Sequence, residues 1–338
     1  MLLRCRGLSG ILLFALVALY LVASVPVQTY LLVRLPWIWR RSSADSLISP
    51  DGDRFDITFR AYDDDNNATR TLAVEYPPVV PTILHHIYLG SHAKPYDEWV
   101  VAWEDCRQLH RDWEWYFWTD ENATQLVRDK FPGFYEMWAQ YPYLVQKVDA
   151  LRYMVLYTYG GVVLDSDLQC KRSMEPLRRF DFVAPAAHPV GFSIGMLMAT
   201  PQHVFVQELI RNLPRFNRRW FWSPYVTVMF STGCHFASTI FTMQPNRSTL
   251  RILSGTASDP TMHMLNGVID TPLFHHEGTS SWHGRDAAFI RSLDKPFVYC
   301  GLFCGLGLGM GVLASWGIGS WYRGRIVVLE SKMGEKSV

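Results

Sequence analysis

Three observations predict an α/β fold. From Pro81 onward, short apolar runs of strand length alternate with segments whose apolar residues recur at helical spacing, as in a sheet flanked by helices. Trp113, Trp115 and Phe117 alternate with Glu114, Tyr116 and Trp118, the period of two that a strand requires. Val162-Val163-Leu164 follows Gly160-Gly161 and runs into Asp165 and Asp167, which reads as a short buried strand ending in two carboxylates.

Each element follows from its residues. The alternation of strand-like and helix-like pieces starts after Pro81, and the strand with period two ends at Trp118. Leu144, Val145, Val148, Leu151 and Val155 mark a helix with a buried stripe. Asp149 and Arg152, at i,i+3, project from one face of it. Gly160 provides the positive-φ cap that ends this helix. Phe182 to Ala184 and Ile194 to Ala199 read as further strands, and Val204 to Leu213 as a helix. In open α/β sheets ligands bind beyond the C-terminal ends of strands. Two Asp separated by one residue suit a hard divalent cation that also grips phosphate oxygens. Alone, such a pair is more often a surface turn, and Asp149 with Arg152 more often an intrahelical ion pair. The order helix, glycine pair, strand, carboxylates gives the signal its weight.

The ends of the chain read differently. Leu8 to Val33 and Phe297 to Tyr322 carry no charge, and each is about 26 residues long against the ~20 that cross a bilayer core. The first is expected to be an uncleaved anchor, because Trp37, Trp39, Arg40 and Arg41 follow it; a cleaved signal peptide is the alternative. The second, with Gly301, Gly305, Gly307, Gly309 and Gly311, is expected to span the membrane and contact another helix. The layout expected is a cytosolic tail (1–7), an anchor (8–33), a membrane-proximal stem (34–79), an α/β domain (80–295), a second span (296–322) and a cytosolic tail (323–338). The sequons at Asn67, Asn122 and Asn246, and the basic tail with Arg323, Arg325, Lys332 and Lys336, put the domain in the lumen. Asn122, two residues from Asp120, is the poorest of the three acceptors. A net charge of +1 without a basic cluster gives no reason to expect a nucleic-acid partner. Cys106, Cys170 and Cys234 allow one lumenal bridge, and no spacing suits zinc. Arg215 to Trp222, where arginines adjoin tryptophans, fits the headgroup level of an anionic membrane.

The run from Val148 to Asp167 resembles the sugar-nucleotide site of glycosyltransferases with a DxD-containing sugar-binding region. That family contains the yeast initiating α-1,6-mannosyltransferase and the mannosyl-inositol-phosphorylceramide synthase catalytic subunits. Pro81 to Ile87, Tyr116 to Asp120 and His275 to His283 carry the resemblance to roughly residues 80–290, and the two hydrophobic ends bring it closest to the synthases. It implies a GT-A-like nucleotide-sugar-binding domain with N- and C-terminal transmembrane helices in the Golgi membrane, or between ER and Golgi. The activity implied is metal-dependent, retaining transfer of mannose from GDP-mannose to inositol-phosphorylceramide, with Mn2+ or Mg2+ and a multi-pass regulatory subunit. Alternatives are a mannosyltransferase acting on N-glycans or another glycolipid, and a non-catalytic membrane partner.

By the same resemblance Asp167 ligates the metal, Asp165 binds it through water or holds the ribose, and Asp149 accepts a hydrogen bond from a donor-sugar hydroxyl. Arg152 lies beside the sugar and diphosphate, and Trp118 and Asp120 meet the nucleotide. Glu277, Ser280 and Trp282 also resemble a Glu-x-x-Ser-x-Trp stretch of bacterial glucosylating toxins, where acid and hydroxyl complete the metal shell and the indole contacts the diphosphate. His283 is expected near the diphosphate or acceptor. Where many relatives carry a polar Asn-Asp pair, this chain reads Phe192-Ser193-Ile194-Gly195, which leaves the acceptor the least determined feature.

Overall fold

The computed structural model describes residues 26–62, 75–90, 94–265, 267–279 and 283–292. The chain divides into two compact units, Met1–Trp282 and His283–Val338. Of the second, the described part is a short lead-in and one helix, α10 (Arg285–Ser292).

The first unit opens with helices α1 (Pro26–Val33) and α2 (Leu35–Ser43), followed by a one-turn helix at Pro50–Asp53. Then come β1 (Ile83–Ile87), α3 (Asp97–Leu109), β2 (Glu114–Trp118), α4 (Asp120–Lys130), α5 (Pro132–Ala139), α6 (Leu144–Tyr159), β3 (Gly161–Leu164) and β4 (Leu168–Cys170). The remainder is β5 (Phe182–Pro185), β6 (Met196–Ala199), α7 (Val204–Phe216), α8 (Pro224–Ser231), α9 (Cys234–Met243), β7 (Leu250–Leu253), β8 (Ile269–Asp270) and β9 (Phe274–His276).

Six strands form one sheet in the order β2-β1-β3-β6-β5-β7, with β6 antiparallel to its neighbours and the other pairs parallel. A three-stranded antiparallel sheet, β4-β9-β8, lies beyond β3 in the chain. Side chains alternate across the large sheet as the pleat dictates. Val163, Leu197, Phe182 and Ala184 join a cluster with α4 to α7 and α9, while Val162, Leu164, Met196, Met198 and Val183 join the opposite cluster. Being buried on both faces is why β3 reads as an unbroken apolar run rather than an alternating one.

Residues 34–79 were expected to be a stem, and their described part instead completes the core. Ile48, Phe55, Ile57 and Phe59 are buried and cover one face of the sheet. Leu47 extends the sheet by a parallel bridge to Ile252. Likewise the last eight residues of the expected anchor form α1, whose Leu31 and Leu32 pack into the other cluster. Hydropathy cannot separate a run bound for lipid from one bound for a protein core, which is why the sequence merges them. The rest of that anchor, the second span and the acidic Asp63 to Asp65 lie outside the described residues. Among the described residues no helix is long and apolar enough to cross a membrane.

Two histidines brace the strand before the site. His85 Nδ1 accepts from the Trp118 indole N–H at 3.2 Å, so its Nε2–H donates to the Gly160 carbonyl at 2.9 Å. His86 Nδ1 accepts from the Trp115 indole at 2.9 Å. Burial holds both neutral, lowering His85 to about 4 and His86 to about 3. Both folded values lie below the unfolded one near 6.5, so the unfolded chain takes up these protons first on acidification. Stability should therefore fall from about pH 6.5 toward pH 4 by on the order of 1 kcal/mol per pH unit for each ring. His86→Asn, which keeps an acceptor for Trp115, should flatten that slope in urea titrations at stepped pH. An unchanged slope would show that other groups govern it.

Candidate active site

The site grows from one helix and the strand that follows it. The α6 helix ends because Gly160 takes φ 68°, with its N–H bonded to the Leu156 carbonyl at 2.8 Å. Gly161, at φ 88°, starts β3 so close to β1 that a Cβ there would sit 2.5 Å from the Ile83 carbonyl oxygen. Neither position admits a side chain, and the tight turn lays β3 directly beside β1. The chain runs from β1 to β2 on one side and to β3 on the other. This is a topological switch point, where a crevice opens beyond the strand ends. Gly90, after β1, and Asp165, after β3, flank it.

Asp149 and Arg152 lie beneath that edge, 4% and 3% exposed. The intrahelical ion pair is the lesser contact, at 3.9 Å. Arg152 instead reaches out of its helix: Nη2 meets Asp165 Oδ1 at 2.5 Å and Nη1 donates to the Ile194 carbonyl. It thus ties the helix to the ends of both β3 and β6. Asp149 Oδ2 accepts from the Thr232 hydroxyl at 2.9 Å, and the Tyr153 hydroxyl donates to the Thr232 carbonyl at 2.5 Å. Burial pushes Asp149 up to about 7 against the pull of Arg152. A carboxyl so enclosed is a support under the site. The sequence reading has it meet a donor-sugar hydroxyl; within the protein its partners are Thr232 and Arg152.

The two carboxylates of the motif stand at the surface of this support. The Asp165 side chain keeps 37% of its area open. The packed protein beneath raises its pKa, Arg152 opposes the rise and Asp167 adds to it. Opposite it, Gly195 leaves room: a Cβ there would lie 2.9 Å from Asp165 Oδ2. The Asp165 N–H donates to the Gly195 carbonyl at 2.7 Å, so this glycine also fixes the backbone of the motif. Asp167 is held from the other side. Its Oδ2 accepts from the Thr279 amide at 3.1 Å and the Thr279 hydroxyl at 2.9 Å, and His276 Nε2 lies 3.5 Å away. Burial raises Asp167, but His276 and Thr279 outweigh it and leave the group below its ordinary value.

The pairing of β4 with β9 sets Leu168 opposite His276, and the Glu277 N–H donates to the Asp167 carbonyl at 3.0 Å. His276, Glu277 and Thr279 are therefore carried back to the motif across more than a hundred residues. Glu277 joins through its backbone, while its carboxylate lies 3.6 Å from His275 Nε2. Ser280 and Trp282 lie outside the described residues. His283 belongs to the second unit and precedes α10. Trp118 is buried beneath the edge, its indole N–H given to His85, which makes it packing for the sheet rather than a wall of the crevice. Asp120 starts α4 and its Oδ2 accepts from the Gly90 amide at 2.7 Å, which ties the first two strand ends together. Asn122 is committed at the same turn, its amide donating to the Phe117 carbonyl at 2.9 Å.

Thr232, His276, Thr279 and Gly195 were not anticipated as site residues. Gly195 had a signal, since it stands in the segment already marked by its departure from the family pattern. His276 and Thr279 stand in the run His275 to His283 already marked by the resemblance, whereas nothing in the sequence singles out Thr232, whose partner lies 83 residues away.

A divalent cation fits what is here. Asp165 commits Oδ1 to Arg152 and Asp167 commits Oδ2 to Thr279, and no donor among the described residues reaches the second oxygen of either. Among the described residues no group of three or more His, Cys, Asp or Glu forms a metal cage. Two carboxylates without a cage suit an ion that completes its shell with water and substrate phosphates.

Residues 96–183 match the family described as "Glycosyltransferase sugar-binding region containing DXD motif". The chain is 34% identical over 223 residues to inositol phosphoceramide mannosyltransferase 1 of Schizosaccharomyces pombe, covering 64% of this chain and 66% of that protein. It is 30% identical over 229 residues to mannosyl phosphorylinositol ceramide synthase SUR1 of Saccharomyces cerevisiae, covering 66% of this chain and 57% of that one. The matched part thus spans somewhat less than two thirds of these relatives. Among solved structures, the PaToxG glycosyltransferase aligns with a TM-score of 0.38 and 15% identity, over 55% of this chain and 78% of its own.

Proposed function

The chain belongs to the glycosyltransferases that carry a DXD-containing sugar-binding region, and from that premise we propose that it moves mannose from GDP-mannose to the inositol headgroup of inositol-phosphorylceramide. The observation that carries the reading is the pair Asp165 and Asp167 at the switch point of the sheet, each with one oxygen held by the protein and, among the described residues, no donor on the other. The names of the curated relatives support the lipid acceptor. The strand order and its antiparallel β6 support a GT-A-like domain.

The residues divide the work. Asp167 and Asp165 would hold Mn2+ or Mg2+, which when bound neutralises charge on the departing diphosphate. Arg152 favours the ionised form of Asp165 and aims it, and its fixed cation would add positive potential beneath a bound diphosphate. Thr279 fixes which Asp167 oxygen faces the crevice. Ser193, whose Oγ accepts from the Gly195 N–H at 3.1 Å, closes the floor where relatives carry the polar pair. A lumenal, Golgi location is supported by the Cys106–Cys170 disulfide, a linkage of oxidising compartments, and by the sequons at Asn67 and Asn246. A multi-pass partner is supported by the glycine-rich run near residues 301–311.

The test is a donor screen in microsomes containing the full chain and manganese, scoring transfer into lipid against transfer into protein. Cells lacking the chain should accumulate the unmannosylated inositol sphingolipid. An unchanged lipid profile with shortened N-glycans would replace this acceptor by a glycoprotein.

A further inference from the structure

Four of the first unit's exposed aromatics, apart from Tyr96 and Trp115, stand in two places that are joined beneath the surface. On α1 and α2, Tyr30 is 63% and Trp37 76% exposed. In the turn between α7 and α8, Phe221 is 57% and Trp222 83% exposed. That turn is built to hold them out. Both residues have positive φ, 49° and 57°, where bulky side chains are rare. They are pinned by their neighbours. Trp220 is buried with its N–H on the Thr227 hydroxyl at 3.0 Å, and the Ser223 hydroxyl caps α8. Inside, Phe221 packs on Phe230 at 6.4 Å, Phe230 on His235 at 4.6 Å, and His235 Nε2 meets the Leu32 carbonyl at 2.7 Å. The turn and the α1–α2 pair are therefore two ends of one packed ridge.

We infer that Tyr30, Trp37, Arg40, Arg219, Phe221 and Trp222 form a face that docks on an anionic bilayer, with the aromatic rings at the headgroup–acyl boundary and the arginines on lipid phosphates. Charge picks this occupant. Residues 26–43 and 212–243 contain no Asp or Glu, yet they carry Arg34, Arg40 and Arg41 in one segment and Arg215, Arg218 and Arg219 in the other, while Arg211 just before it pairs with Glu208 at 3.0 Å. The chain as a whole is nearly neutral at +1, so the positive charge is gathered here. Amphipathic aromatics beside arginines are the composition of a membrane-water interface. Residues 8–25, which precede α1 in the sequence, carry no charge.

The ridge also leads to the crevice. On α2, Trp37 points out, while Trp39 packs on Phe241 at 5.2 Å and on Phe192 at 6.3 Å, in the segment that holds Ser193 and Gly195. On the other side, α8 runs from the Trp222 turn to Thr232, the hydroxyl on Asp149. Docking would thus hold the site's edge at headgroup height, a role that rests on the lipid-acceptor reading given above.

The experiment uses the full chain in phosphatidylcholine vesicles containing phosphatidylinositol, with and without brominated acyl chains. The fluorescence removed by Trp37→Phe plus Trp222→Phe should be quenched by the brominated lipid. Phe221→Ser plus Trp222→Ser should raise KM for a vesicle-borne acceptor roughly tenfold and leave kcat on a short-chain, water-soluble acceptor unchanged. Absence of quenching overturns the docking face, and if the serine variant then also loses self-association in detergent, the face belongs to a second copy of the chain. Quenching without any transfer to inositol lipid upholds the face and removes the lipid acceptor.

Discussion

Asp167→Asn should leave a folded protein with turnover lowered by roughly 10²–10³ or more, because an electrostatic stabiliser of the departing group is gone. The amide keeps an oxygen for Thr279, so the strip that carries residues 277–279 stays in place while the negative charge is lost. Asp165→Asn should be as severe for a second reason: it also takes the nearest countercharge from a guanidinium that is 3% exposed. Turnover with saturating donor and manganese, with metal affinity by calorimetry, checks both. Near-normal activity in either variant would remove the metal-site reading.

Arg152→Ala should be the most destabilising single change at the site. It strands Asp149 and Asp165 without their cation and leaves the Ile194 carbonyl without its donor. Removing one partner of a buried ion pair costs about 3–5 kcal/mol, partly relieved here as the carboxyls take up protons. Arg152→Lys restores the charge but cannot span Asp165 and Ile194 at once, so it should recover part of the stability and little of the turnover. Urea titration beside activity separates the two effects. A wild-type denaturation midpoint in the alanine variant would show that the guanidinium is not what joins α6 to the strand ends.

Much of the fold was legible because local pattern and final structure agree. The run Val162 to Leu164 with its glycine pair became β3, and the stripe from Leu144 to Val155 became α6. The motif was legible for the same reason, since Asp149, Arg152, Asp165 and Asp167 lie within nineteen residues and their order encodes their geometry. What was not legible depends on long-range registry. Thr279 meets Asp167 only because β9 pairs with β4, and Thr232 meets Asp149 only because α8 packs on α6. The burial of Ile48, Phe55 and Phe59 was missed because a sequence with few regular elements reads as a stem until something covers it. The bond from Trp118 to His85 was not legible because a strand-end position fixes where a residue stands and not which way its ring turns.

The Cys106–Cys170 disulfide has a consequence for how this domain comes to exist. The bridge closes a ring of 64 residues, from the end of α3 through β2, α4, α5 and α6 to β4. Asp149, Arg152, Asp165 and Asp167 all lie on that ring. In the oxidised chain the ring persists after unfolding, which by loop entropy disfavours the unfolded state by about 4 kcal/mol. A chain made where thiols stay reduced must close the same contour against its full entropy. The ring that bears the motif is therefore favoured wherever disulfides form, and expression under reducing conditions should lower the yield of folded protein, read as the soluble fraction with and without oxidant.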